Sequence, residues 1–118
     1  MRLKFTTPFP PSANTAYPTC KVTGRRYTSP KVKIFKEEVA LLIRSYYQAF
    51  DKSDRLHVTF KMHPPDKRKR DVANFEKVLV DCFSGFIFPD DEQIDHFEIK
   101  RGPVAKGGFM GVTIEVME

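Results

Sequence analysis

Apolar residues recur with two periods along the chain, and the period predicts the element. Leu3 and Phe5 lie at alternate positions and predict a short first strand. Residues 6–30 carry five prolines, which lack the amide hydrogen that a helix or sheet needs, so this stretch predicts a long irregular connection. From Val32 to Phe50 the apolar residues recur at helical spacing, which predicts an amphipathic helix of about five turns.

The start of that helix is marked by Ser29 as N-cap and Pro30 in the first turn. Its apolar stripe would face either the core or a second copy of the chain. Residues 55–62 then alternate strictly between apolar and polar, which predicts a half-buried strand.

The rest of the chain predicts one more helix and two more strands. The helix covers residues 71–84, and Gly85 stops it. One strand runs from Ile94 to Lys100, and the last carries the alternating residues 112–117. The order β-α-β-α-β-β predicts a single α+β domain over residues 1–118, with one mixed sheet and the helices largely on one face.

Composition excludes several classes of protein. No run of 18 apolar residues could span a membrane, and the N-terminus lacks the apolar stretch of a signal peptide, so a cytoplasmic location is expected. Cys20 and Cys82 have no zinc-ligand spacing and are interpreted as free thiols.

His57 falls on the polar face of its strand as a surface residue. Neither it nor His63 or His96 has a sequence neighbour that suggests a metal ligand.

Charge is distributed unevenly along the chain. Residues 1–50 hold nine Lys and Arg against two Glu, a net charge of +7, whereas residues 51–118 hold eleven against thirteen acids, a net charge of −2. A basic half joined to an acidic half suits an enzyme that binds polyanionic DNA and concentrates carboxylates at one point. Many small basic proteins bind no nucleic acid, so charge alone favours DNA only weakly.

Candidate chemistry gathers around the second predicted helix. On a helical wheel one side carries four polar residues, and basic residues 67–70 lead directly into the helix. A second acidic cluster, residues 90–92, opens the next strand. Carboxylates from two elements beside a basic strip could hold Mg²⁺ or Mn²⁺ for phosphodiester hydrolysis. The four polar residues are Asp71, Asn74, Lys77 and Asp81.

Each of these features also has an ordinary explanation. Asp71 is a good helix N-cap, and Pro89-Asp90-Asp91 is common turn chemistry. The basic run from Lys67 to Arg70 could be a solvated surface. Only the combination favours a catalytic site.

Four segments, in order, resemble the RusA family of Holliday junction resolvases. Residues 8–15 (PFPPSANT) resemble the family's N-terminal Pro-Pro-Ser-x-Asn signature. Residues 65–77, followed by Asp81, resemble its basic run and Asp-x-Asp-Asn-x-x-Lys. Residues 90–94 (DDEQI) resemble its Asp-Asp-x-Gln-Ile, and residues 106–108 its late Lys-Gly-Gly turn. The match spans nearly the whole chain, and the two middle motifs in tandem are specific.

The resemblance implies a homodimer that binds four-way DNA junctions and nicks two strands symmetrically, with Mg²⁺ as cofactor and Mn²⁺ as a substitute. It implies that Asp71 and Asp91 are metal ligands, with Asp90 as a neighbour that contributes. Lys77 would be the catalytic lysine, and Asn74 would lie beside the metal. A bacterial or phage origin would fit.

One position departs from the family pattern. Ala73 stands where the pattern has an aspartate, and a methyl group cannot bind a metal. Either the chain is an engineered inactive variant, or the natural protein uses another carboxylate, of which Asp81 is a better candidate than Glu76. On both explanations we expect weak cleavage. A non-catalytic junction-binding protein is therefore the leading alternative, and a general DNA- or RNA-binding module is a third.

Nine residues are expected to contact DNA. Basic residues would bind phosphates, and tyrosines would stack on bases or wedge into the junction centre. They are Asn14, Tyr17, Arg25, Arg26, Tyr27, Lys67, Arg68, Lys69 and Arg70.

Overall fold

A mixed four-stranded sheet forms the centre of the computed structural model, which describes residues 1–117 apart from the side chain of Asn14. The strands β1 (Arg2–Pro8), β2 (Leu56–His63), β3 (Ile94–Arg101) and β4 (Phe109–Val116) lie in the order β1-β4-β2-β3. β4 is antiparallel to both of its neighbours, and β2 is parallel to β3. The expected single α+β domain with a mixed sheet is therefore confirmed.

Helices α1 (Ala13–Ala16), α2 (Pro30–Leu42) and α3 (Lys77–Phe83) connect the strands, together with three short 3₁₀ turns. Within residues 1–117 no helix is both long and apolar enough to cross a membrane. Cys20 and Cys82 are free thiols, as predicted.

The core lies between one face of the sheet and the helices. The alternate β2 residues Leu56, Val58, Phe60 and Met62 are at most 1% exposed. Phe60 meets Phe83 of α3 edge-on, with 6.1 Å between ring centroids. The opposite face of the sheet carries polar side chains. The predicted alternation of apolar and polar residues therefore arises because only one face of the sheet is buried.

The connection over residues 6–30 is more regular than its prolines indicate. β1 continues to Pro8 as an edge strand, where a missing amide hydrogen is tolerated. Ser12 then begins α1, its Oγ accepting a hydrogen bond from the Thr15 amide at 3.2 Å. The prediction of a wholly irregular segment was therefore wrong.

The first long helix is shorter than the predicted five turns. α2 ends at Leu42, and a 3₁₀ turn, Arg44–Tyr46, follows it. Gln48 then adopts a positive φ of 52°, which redirects the chain so that Phe50 enters the core at 2% exposure. The apolar residues keep helical spacing past Leu42 because Phe50 is also buried, although it lies after a turn and not in the helix.

The second predicted helix is divided in two. Asp71 Oδ1 accepts a hydrogen bond from the Ala73 amide at 3.2 Å and caps a 3₁₀ turn, Val72–Phe75, after which α3 begins at Lys77. Gly85, with φ of 82°, follows its end. Because a 3₁₀ turn has three residues per turn, Asp71 and Asn74 do not continue the polar face of α3.

Candidate active site

The acidic turn, residues 90–93, is fixed by its own hydrogen bonds. Asp90 Oδ1 accepts from the Glu92 amide at 3.0 Å, and the Asp90 amide donates to Gln93 Oε1 at 3.0 Å, which completes a capping box. The Asp91 amide donates to Ser84 Oγ at 3.0 Å. The turn therefore holds two adjacent carboxylates in a defined place beside the end of α3.

Gln93 anchors this turn to the body of the protein. It is 2% exposed, and its Nε2 donates to the carbonyl oxygens of Asp51 (2.7 Å) and Asp54 (3.0 Å). A buried amide with all its hydrogen bonds made is rigid and costly to replace. Neither Ser84 nor Gln93 was identified from the sequence as a supporting residue.

A shallow groove of about 320 Å³ lies between α3 and the start of β3. Lys77 and Asp81 of α3 line one side of it, and Asp91 lines the other. The groove thus brings together three of the residues that sequence reasoning singled out. The full lining is Glu76, Lys77, Val80, Asp81, Asp91, Ile94 and Phe97.

The carboxyl group of Asp91 has a raised pKa in this groove. Asp90 raises it through a hydrogen bond between the two carboxyl groups, and desolvation and the negative charges of Asp90 and Asp81 raise it further. The pKa of Asp90 is lowered, first by the Glu92 amide and then by Asp91. A nearby cation would stabilise the charged form of these neighbouring carboxyl groups. Their hard oxygen atoms suit Mg²⁺ or Mn²⁺.

Tyr17 is a member of this site that was expected to contact DNA instead. Its hydroxyl donates to Asp81 Oδ2 at 2.7 Å, and burial followed by this bond raises the pKa of Tyr17 well above its usual range. The ammonium groups of Lys36 and Lys77 lie 5.6 Å and 5.7 Å from its ring centroid. Tyr17 therefore orients Asp81 and draws two cations to the edge of the groove.

Ala73 and Asn74 lie in the 3₁₀ turn before α3, which Asp71 caps, and none of the three lines the groove. Ala73 is exposed, so a larger side chain there would not disturb the core. Lys77 Nζ is 3.9 Å from Asp81 Oδ2, a loose ion pair one helical turn apart.

Comparisons with known proteins agree with the motifs. The family described as endodeoxyribonuclease RusA matches residues 8–117. The chain is 31% identical over 114 residues to the crossover junction endodeoxyribonuclease RusA of Escherichia coli K12, covering 95% of this chain and 92% of that protein. Over 117 residues it is 32% identical to the corresponding protein of Enterobacteria phage HK97, covering 98% and 95%.

This chain belongs to the RusA family. The resemblance inferred from four segments is thereby confirmed across almost the whole sequence.

The basic run of this RusA-family chain divides into two kinds of residue. Lys67, Arg68 and Lys69 are exposed. Arg70 instead folds back, with Nη1 2.7 Å from Asp66 Oδ1 and its guanidinium 5.5 Å from the Phe9 ring centroid. This pairing lowers the pKa of Asp66 to about 2. Arg70 thus has a structural role that the sequence pattern did not indicate.

The other expected DNA contacts lie in a small hairpin before α2. Thr19 and Arg26 form an antiparallel bridge, and Arg25 and Tyr27 are exposed beside it. Arg26 Nε donates to the Tyr17 carbonyl oxygen at 3.0 Å, so its side chain connects the hairpin to the site. The side chain of Asn14 lies outside the described part of the chain.

Proposed function

We propose that this chain is a divalent-metal-dependent endonuclease that resolves four-way DNA junctions by paired symmetric nicks. The single observation that carries the proposal is the groove in which Asp91, beside Asp90, faces Asp81 and Lys77. Membership of the RusA family supports it, because relatives that the chain matches over nearly their whole length are named crossover junction endodeoxyribonucleases. Activity in the cytoplasm of a bacterium or phage-infected host is part of the proposal.

The carboxylate oxygens of these residues suit a hard divalent cation. Asp71 and Asp91 would be its ligands, as the family resemblance implies, with Asp90 as a contributing neighbour. Asp71, which does not line the groove, would have to turn toward it. When bound, Mg²⁺ would activate a water and stabilise the charge that develops on the phosphate. The raised pKa of Asp91 supports this assignment, since Asp90 and Asp81 disfavour its charged form and a cation would favour it.

Lys77 would act on the DNA directly. Its side chain is 60% exposed at the edge of the groove, and its pairing with Asp81 is loose at 3.9 Å. The ammonium can therefore move to a phosphate oxygen at low cost. Tyr17 would act through Asp81 as a positioning residue, since its hydroxyl donates to that carboxylate.

The exposed basic residues would position the DNA. Lys67, Arg68, Lys69 and Arg25 would contact phosphates, which gives affinity without sequence specificity. Tyr27, 51% exposed beside Arg25, would stack on an unpaired base at the junction. Arg26 and Arg70, called DNA contacts from the sequence, would act mainly by holding the surrounding loops.

Ala73 limits the activity of this chain on either explanation of its origin. We expect Ala73→Asp to restore the carboxylate of the family pattern and to cleave at least about 100-fold faster, the scale of one lost electrostatic group in an active site. The site is exposed, so the substitution should leave the fold intact. The alternative, a junction-binding protein without catalysis, is favoured by this one residue.

Cleavage of a labelled four-way junction in Mg²⁺ tests the proposal, with linear duplex as the control substrate. Paired nicks by Ala73→Asp and much weaker nicking by the parent chain are expected. If neither protein cuts but both bind the junction, the binding-protein alternative replaces the proposal. Equal cleavage by both would refute the role of residue 73.

Two neighbouring acids offer a matched control in the Ala73→Asp background. Asp91 lines the groove, whereas Glu92 pairs with Arg55 at 3.3 Å on the other side of the turn. Asp91→Asn should abolish cleavage and weaken Mn²⁺ binding measured by calorimetry. Glu92→Gln should leave both nearly unchanged, and equal losses would remove the assignment of Asp91.

The homodimer is a further part of the proposal. Two active sites are needed for paired nicks, and α2 exposes Ile34 and Leu41 one above the other on its outer side. Light scattering should give twice the monomer mass. Leu41→Glu should lower that mass if this surface is the interface, and a monomeric parent would refute the pairing.

A further inference from the structure

Two of the three histidines lie together on the sheet face that the helices leave open. His57 on β2 stacks on His96 of β3, with ring centroids 4.0 Å apart and planes 9° from parallel. Glu98 Oε1 lies 3.4 Å from His57 Nε2 and 3.1 Å from His96 Nε2. One oxygen and two nitrogen atoms thus converge, all within 4.8 Å of one another.

We propose that His57, His96 and Glu98 form a zinc-class divalent metal site separate from the acidic groove. Zn²⁺ binds nitrogen at about 2.0–2.1 Å, so tetrahedral ligand atoms are separated by about 3.3 Å. Both nitrogen–oxygen separations, 3.4 Å and 3.1 Å, are close to that value. Because the lone pair of an imidazole nitrogen lies in the ring plane, the two stacked rings would rotate out of parallel when both bind the metal. Imidazole suits Zn²⁺, Co²⁺ and Ni²⁺, whereas Mg²⁺ prefers oxygen.

A second carboxylate completes the environment of His57. Glu115 of β4 is its strand partner, and Glu115 Oε1 lies 3.4 Å from His57 Nδ1. Histidines that bind a metal through one nitrogen usually donate the other ring hydrogen to a carboxylate, which fixes the tautomer. Two neutral imidazoles, two carboxylates and one divalent cation also balance in charge.

An irregularity in strand pairing creates this cluster. Leu56 pairs with Ile94, but the next residue, His57, pairs with His96, so Asp95 is an extra residue in β3. Without this bulge His57 would face Asp95. Arg55 holds Asp95 through Nε at 3.0 Å. Such bulges redirect side chains at functional positions.

The position of the site suggests what a bound metal would do. β3 is an edge strand with β2 as its one neighbour in the sheet, and the acidic turn leads directly into it. A metal shared by His57 and His96 would tie these strands together. It would raise the thermal stability of the chain and, through β3, steady the turn that carries Asp91.

Titration of the full chain with CoCl₂, in excess Mg²⁺ to occupy oxygen sites, tests the inference. We expect visible absorption bands of tetrahedral Co²⁺ that saturate at one equivalent and disappear when ZnCl₂ is added. In histidine ring NMR spectra, His57 and His96 should shift together. His63, which stacks on Phe109 at 4.2 Å on the same face, is the internal control.

Substitutions separate this site from adventitious binding. His96→Asn and the isosteric Glu98→Gln should each abolish the saturable bands, and Glu115→Gln should weaken binding about tenfold, as expected for an outer carboxylate. His63→Asn should bind like the parent. Binding that survives His96→Asn and Glu98→Gln, equal shifts at all three histidines, or no saturable binding would each overturn the inference. None of these residues lines the acidic groove, so the result is independent of nuclease activity.

Discussion

Gln93→Met removes the amide that anchors the acidic turn and keeps nearly the same shape. Three hydrogen bonds are lost, one from the Asp90 amide and two to the carbonyl oxygens of Asp51 and Asp54. At about 1 kcal/mol for each bond, the free energy of unfolding should fall by about 3 kcal/mol. With about 2.1 cal/mol/K of unfolding entropy per residue, a chain of 118 residues should lose roughly 12 °C in Tm.

Urea unfolding followed by circular dichroism, at one fixed protein concentration, measures this loss. Gln48→Met is the matched control, because Gln48 is exposed, its side-chain hydrogen bond is to the exposed Tyr47 hydroxyl, and Met is unbranched like Gln at this positive φ, so its change should stay within about 0.5 kcal/mol. Gln93→Met should also weaken Mn²⁺ binding, since the Asp90 amide no longer fixes the turn. A loss below about 1 kcal/mol, or one equal to that of Gln48→Met, would refute the anchoring role.

Three other predictions concern titrating groups. Burial and Asp81 keep Tyr17 neutral, so in a spectrophotometric pH titration it should ionise last of the four tyrosines, and Tyr17→Phe should remove that late phase. The Arg70 side chain and, after it, the Arg68 amide lower the pKa of Asp66 from 3.8 to about 2, so these contacts stabilise the fold above about pH 4 and are lost as the pH falls toward 2. Arg70→Gln should flatten the acid dependence of the urea midpoint in that window, and an unchanged slope would contradict the pairing. Burial raises the pKa of Cys82 to about 11, while the Thr23 backbone lowers that of Cys20. Iodoacetamide at neutral pH should therefore label Cys20 first in mass spectrometry, and faster labelling of Cys82 would contradict this order.

Elements whose side chains alternate about one buried face could be predicted from the sequence. The alternate β2 residues Leu56, Val58, Phe60 and Met62 are apolar because the helices pack on only the face of the sheet to which these residues point. The limits of the helices could not be predicted in the same way. Phe50 kept the helical spacing although it enters the core from a turn after Gln48, so the pattern recorded burial and not helical structure.

The features of the two sites that could not be predicted from the sequence depend on contacts between distant segments of the chain. Tyr17 and Asp81 are 64 residues apart and meet only because the chain between them folds back. His57 was interpreted as an isolated surface residue, yet the bulge at Asp95 places His96 beside it. The sequence of one strand does not show which residue of the next strand it pairs with. One extra residue in β3 shifts every later pair, and the sequence pattern gives no sign of it.

The geometry also bears on the missing carboxylate at position 73. Of the acids considered as substitutes, Glu76 and Asp81 both line the groove with Asp91. Of these two, Asp81 contributes a negative charge that raises the pKa of Asp91, and Tyr17 orients it by a 2.7 Å hydrogen bond. An acid that is already oriented by a hydrogen bond needs less rearrangement to share a cation with Asp91 than one whose side chain is not held. We therefore expect a natural Ala73 protein to use Asp81 in preference to Glu76.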